Sequence, residues 1–132
     1  MTIVVDASIV VAALVDSGST GRWSEDIIAR DNLIAPELLL IETTNVLRRL
    51  ERTNNISSPE AAAAHRDLLR LDVQYLPFLP VAEQVWKLRH NFTSYDATYI
   101  AVAETFDAPL ATLDLRLSRQ KTACRFLTPA VG

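Results

Sequence analysis

Ile3-Val4-Val5-Asp6-Ala7-Ser8 decides the reading of the chain. Three β-branched residues run without a polar break into a carboxylate, and a hydroxyl follows two positions on. An unbroken apolar run suits a strand covered on both faces, as in a parallel sheet, rather than a half-exposed one. Asp6 then stands at the carboxyl end of that strand. In open α/β sheets that edge is where ligands bind.

Outward from this strand, helices and strands alternate. Asp6 and Ser8 are fit to cap a helix over residues 7–14. Residues 17–21 carry two of the three glycines and read as a loop. A helix over 22–30 sets Trp23 and Ile27 on one face. A short strand at 33–35 stops at Pro36, which opens a long helix to about residue 53. Leu39, Thr43, Val46, Leu47 and Leu50 mark its buried face. Ser58 as N-cap, with Pro59 at the first helical position, starts a helix to about residue 71. A third strand at 74–76 follows, then a helix over 81–90 with Glu83 and Lys87 as an i,i+4 pair. Another helix runs from about residue 95 to 105. A fourth strand at 110–112, a short basic helix at 115–119 and a strand at 125–127 complete the series. Five strands alternating with helices predict a mostly parallel sheet with helices on both faces. No repeat or linker interrupts it, so residues 1–132 are expected to form one domain.

A chain of 132 residues buries enough surface to need no covalent staple. The single cysteine, Cys124, excludes an internal disulfide and any cysteine-based zinc site. The apolar N-terminus lacks the basic flank of a signal peptide, and the longest uninterrupted apolar run, residues 9–15, is too short to span a bilayer. A cytoplasmic protein without a membrane segment is expected. Net charge is −3, from 13 basic and 16 acidic residues. Residues 115–125 nevertheless hold four basic side chains (Arg116, Arg119, Lys121, Arg125) and no acidic one. Such a run is either a solvated face or a backbone-contacting strip.

Four acidic residues recur in matching settings. Asp6 and Asp114 lie at or just past the ends of apolar strands, and Glu42 and Asp96 lie early in helices. Glu42 falls on its helix's apolar stripe, where an unpaired carboxylate costs several kcal/mol. Asn45, one turn on, and Arg49, two turns on, are its local candidates for compensation. Taken singly, each aspartate is equally explained as an N-cap or a first-turn residue favoured by the helix dipole. Together they make an oxygen-rich set of the kind magnesium and manganese prefer. Paired ions about 4 Å apart stabilise both attacking and leaving oxygens at phosphorus. Ser8 and Thr112 are candidates to orient those carboxylates. No Gly-rich phosphate loop, zinc spacing or nucleophile elbow is present.

Val4-Val5-Asp6-Ala7-Ser8, Glu42-Thr43-Thr44-Asn45-Val46-Leu47, Ser94-Tyr95-Asp96-Ala97-Thr98-Tyr99-Ile100-Ala101-Val102-Ala103-Glu104 and Leu110-Ala111-Thr112-Leu113-Asp114 resemble the successive motifs of PIN-domain nucleases. Length and context are most similar to the VapC-type toxins of bacterial toxin–antitoxin pairs. The resemblance implies a three-layer α/β/α sandwich around a central, mostly parallel sheet of about five strands. It implies a Mg²⁺- or Mn²⁺-dependent endoribonuclease, with one or two ions held by Asp6, Glu42, Asp96 and Asp114. It puts the family's hydroxyl on Ser8 and its helix asparagine on Asn45. It further implies a homodimer silenced by a cognate antitoxin. Arg116, Arg119 and Lys121 are then candidates to guide the RNA backbone, and the face of Trp23 and Ile27 is a candidate partner groove. Two rival readings are a non-catalytic module that binds metal or a basic partner, and an aspartate-nucleophile phosphatase. The second would want an aspartate where Ser8 stands.

Overall fold

In a computed structural model, which describes residues 1–30 and 32–130, the opening run becomes β1 (Thr2–Val5), and Ile3, Val4 and Val5 are wholly buried. The chain continues through α1 (Ala7–Val15), α2 (Ser19–Arg30), β2 (Asn32–Pro36), α3 (Leu38–Arg52), α4 (Ser58–Arg70) and β3 (Val73–Leu76). A 3-10 turn at Leu79–Val81 leads into α5 (Ala82–Lys87), followed by α6 (Ser94–Thr105), β4 (Leu110–Ala111), α7 (Leu115–Ser118) and β5 (Phe126–Leu127).

The five strands form one sheet in the order β3-β2-β1-β4-β5, and every ladder is parallel. Helices α1 to α4 pack on one another as one layer, while α6 lies on β1, β2 and β4 and packs with α5. This is the expected three-layer α/β/α arrangement. Seven successive residues of α6, from Ala97 to Ala103, are all buried. The helix is therefore enclosed around its whole circumference rather than along one stripe.

Several boundaries differ from the sequence-based expectation. Residues 19–21 belong to α2 and not to a loop. Pro36 closes β2 instead of opening a helix, because the Glu37 N–H still donates to Leu76 O (3.0 Å) and prolongs the sheet by one residue. The cap of α4 is Ser57, one residue before Ser58. Its hydroxyl accepts from Glu60 N (3.1 Å) while Glu60 Oε1 accepts from Ser57 N (3.0 Å), a reciprocal pair that outweighs the signal from Pro59. The helix expected over 81–90 is only six residues long. On α3, Leu39, Thr43 and Leu47 are buried, and Val46 and Leu50 are half-buried. Among the described residues, no helix is long and apolar enough to cross a membrane.

Candidate active site

Adjacent parallel strands bring two distant residues side by side. Val5 of β1 is in register with Ala111 of β4, so the next residues, Asp6 and Thr112, leave the sheet together at its carboxyl edge. Thr112 Oγ1 donates to Asp6 Oδ2 at 2.5 Å across 106 residues of sequence. On the other side, Ser8 Oγ donates to Asp6 Oδ1 at 2.5 Å, and Ile9 N donates to the same oxygen at 3.2 Å. Asp6 is thus the N-cap of α1 as well as the centre of this cluster.

Each hydroxyl is itself held by a backbone N–H. Leu113 N donates to Ser8 Oγ and Asp114 N to Thr112 Oγ1, both at 3.0 Å. Peptide dipoles from the loop after β4 are therefore relayed onto Asp6. The carboxylate is only 9% exposed. Burial pushes its pKa above the ordinary aspartate value, and the bonds from Ser8, Thr112 and Ile9 work against that rise.

Glu42 approaches on α3 and Asp96 in the first turn of α6. Burial raises the Glu42 pKa, the Tyr99 hydroxyl opposes the rise, and the charges of Asp6 and Asp96 add to it. The compensation for Glu42 comes from neither Asn45 nor Arg49. Tyr99 Oη donates to Glu42 Oε1 at 2.6 Å. Asn45 is exposed, and its side chain makes no hydrogen bond among the described residues. For Asp96, burial raises the pKa first, repulsion from Asp114 adds to it, and the Arg116 guanidinium lowers it. Asp114 caps α7 through Leu117 N (3.0 Å). The four carboxylates thus form a chain of mutual repulsion, Asp6–Glu42–Asp96–Asp114.

Asp96, Asp114 and Arg116 line one cleft of about 180 Å³, together with Asn91 and Gln120. Arg119 and Lys121 are exposed and do not line it. Arg125 turns away to the carbonyl of Asp107 (3.0 Å). Ile27 is 2% exposed, which removes it from any partner groove, whereas half-buried Trp23 lines an apolar groove of about 460 Å³ with Leu113 and Leu115. Tyr99, Asn91 and Gln120 escaped the sequence reading. Nothing local to Tyr99 in the chain marks its hydroxyl for a polar role, and nothing marks the other two.

Among the described residues, no three carboxylate, imidazole or thiol groups already converge as a closed cation cage. Magnesium commonly binds through only one or two carboxylates, with the remaining positions left to water and phosphate. The donor set fits such an ion. It is all oxygen, crowded and self-repelling, and Glu42 Oε2, both oxygens of Asp96 and Asp114 Oδ2 accept no hydrogen bond among the described residues.

Parallel strands that deliver acidic side chains to one sheet edge define a class, and the PIN domain family model matches residues 3–122. The chain belongs to the PIN-domain family. It is 40% identical over 116 residues to Ribonuclease VapC1 of Mycobacterium tuberculosis, which covers 87% of each chain. To Ribonuclease VapC9 of the same organism it is 37% identical over 116 residues, covering 88% of each. Among solved structures, PAE2754 from Pyrobaculum aerophilum superimposes with a TM-score of 0.73 at 24% identity, over 96% of this chain and 83% of that one. VapBC2 from Rickettsia felis, bound to a DNA fragment from its promoter, gives 0.69 at 14% identity, over 97% and 98%. These two likenesses are of fold.

Proposed function

We infer that this chain is a divalent-metal-dependent endoribonuclease and the toxin of a toxin–antitoxin pair. The observation that carries the reading is the crowding of acidic side chains at the sheet edge. Asp6, Glu42 and Asp96 all have raised pKa values, and among the described residues Arg116 is the one cation that offsets any of them. A site built this way is completed by a cation, and the relatives that span the same length are named ribonucleases.

Asp6 and Asp96 are the principal ligands in this reading, and Glu42 and Asp114 complete the pocket. A bound Mg²⁺ or Mn²⁺, as one ion or two, supplies charge neutralisation at the phosphate and activation of the attacking water. The protein's own groups do the rest. Ser8 and Thr112 hold Asp6 in a single orientation. Arg116, inside the cleft, attracts the RNA backbone, while Arg119 and Lys121 extend the positive strip beyond it. An aspartate-nucleophile phosphatase is a poorer fit, because Ser8 stands two residues after Asp6, where such an enzyme wants a second aspartate. Residues 1–132 act as one nuclease unit in the cytoplasm, as a homodimer, with an antitoxin protein as the silencing partner.

The test is cleavage of labelled structured RNAs and total cellular RNA by purified protein with Mg²⁺ or Mn²⁺. Cutting that EDTA abolishes is expected. Mn²⁺ binding without cutting of any RNA would favour the non-catalytic module.

The raised carboxylates also set a pH dependence. The folded state holds their protons more tightly than the unfolded chain does, so stability falls as pH rises through the raised values. The stability they contribute is fully present only below their ordinary values of 3.8 and 4.5. In EDTA, thermal unfolding should therefore shift upward as pH falls from 8 toward those ordinary values, and saturating Mn²⁺ should flatten the trend. A metal-free melting temperature that drops steadily over that range would contradict the charge crowding.

A further inference from the structure

We propose that Tyr99 is the positioning residue of Glu42, fixing one carboxylate oxygen so that the other is presented to the divalent ion. This rests on the metal-dependent reading above. Tyr99 is 3% exposed on α6, and its ring belongs to the hydrophobic core. Its hydroxyl reaches Glu42 Oε1 on α3 at 2.6 Å, across 57 residues of sequence. The threonine hydroxyls of α6 behave differently. Thr98 and Thr105 donate back to carbonyls of their own helix, Ser94 O and Ala101 O.

What the Tyr99 bond does is sort the oxygens of the site. Asp6 has both oxygens occupied by hydroxyl donors. Glu42 has Oε1 occupied and Oε2 free among the described residues. Without the phenol, the long Glu42 side chain regains its rotamer freedom, and holding it toward a cation then costs entropy. Partners that orient a ligating carboxylate typically change metal affinity about 10–100-fold.

The experiment is direct Mn²⁺ binding, read by loss of the free-ion EPR signal, on wild type, Tyr99→Phe, Glu42→Ala and the double variant. Circular dichroism confirms folding. Tyr99→Phe should weaken Mn²⁺ binding by roughly 10–100-fold. The half-saturating Mn²⁺ for cleavage should rise by the same factor, with the rate at saturating metal largely recovered. In the Glu42→Ala background, Tyr99→Phe should change nothing further, because the phenol acts through Glu42 alone. Unchanged affinity in the single variant, or an additive loss in the double, overturns the assignment. A folded wild type that takes up no Mn²⁺ overturns the metal reading itself. Should Tyr99→Phe not fold, the tyrosine Raman doublet of wild type against Glu42→Ala serves instead. A change in the doublet is expected, and an unchanged one overturns the proposal.

Discussion

Asp96→Asn should reduce RNA cleavage by about a thousandfold or more, roughly 4 kcal/mol of transition-state stabilisation, while the protein stays folded. Asp96 holds the middle of the cluster. It feels Asp114 and Arg116 directly, and it lines the cleft with both. Its side chain accepts no hydrogen bond among the described residues, so an amide of the same size breaks none. The cap of α6 is also untouched, because Thr93 Oγ1 accepts from the Asp96 backbone N–H (3.1 Å). Loss of a first-turn carboxylate costs the helix about 0.3–1 kcal/mol, and relief of burial and of repulsion by Asp114 offsets that cost. The melting temperature in EDTA should therefore stay within a few degrees of wild type, measured beside the cleavage assay. Full activity in a folded Asp96→Asn protein would defeat the assignment. Lost activity with lost structure would point instead to a structural role.

The parts of this site that were legible from the chain are those that sit next to a local signal. Asp6 follows an apolar run that only a doubly covered strand explains, and Asp114 follows another. Glu42 stands out as a charge on an apolar stripe. The roles of Ser8 and Thr112 follow once two strand ends are adjacent, although sheet order is a tertiary property that no window of sequence contains. Tyr99 was illegible for a different reason. Within α6 it is one of seven successive buried positions, and nothing local separates a tyrosine that fills space from one whose hydroxyl crosses to another helix. Arg116, Arg119 and Lys121 look alike in the sequence, yet only Arg116 lines the cleft. A charge run gives composition, and the pitch of a four-residue helix decides which side chain faces the carboxylates.

Gly21→Ala should destabilise the fold by about 3 kcal/mol, lowering the melting temperature by roughly 10 °C. The two glycines at 18 and 21 suggest a flexible loop, but Gly21 lies inside α2 and is buried. Its role is close approach rather than backbone freedom. A Cβ there would sit 2.6 Å from the carbonyl carbon of Asp16 and overlap its carbonyl oxygen. Asp16 is the C-cap of α1, and its N–H is bonded to Ala12 O, so the obstacle is anchored backbone that no rotamer change can move. Gly18 is a contrast, since its added Cβ would meet only a side-chain oxygen of Asp16 at 3.2 Å. Gly18→Ala should cost well under half as much. The consequence reaches function because α1 and α2 are the most extensively packed pair of elements, and α1 begins with the Asp6 cap and carries Ser8. Pushing the C-terminal end of α1 away from α2 strains the helix whose first turn holds the buried carboxylate. Thermal unfolding of the two alanine variants in parallel checks this. Equal melting temperatures would show that the α1–α2 approach is slack and that Gly21 is replaceable.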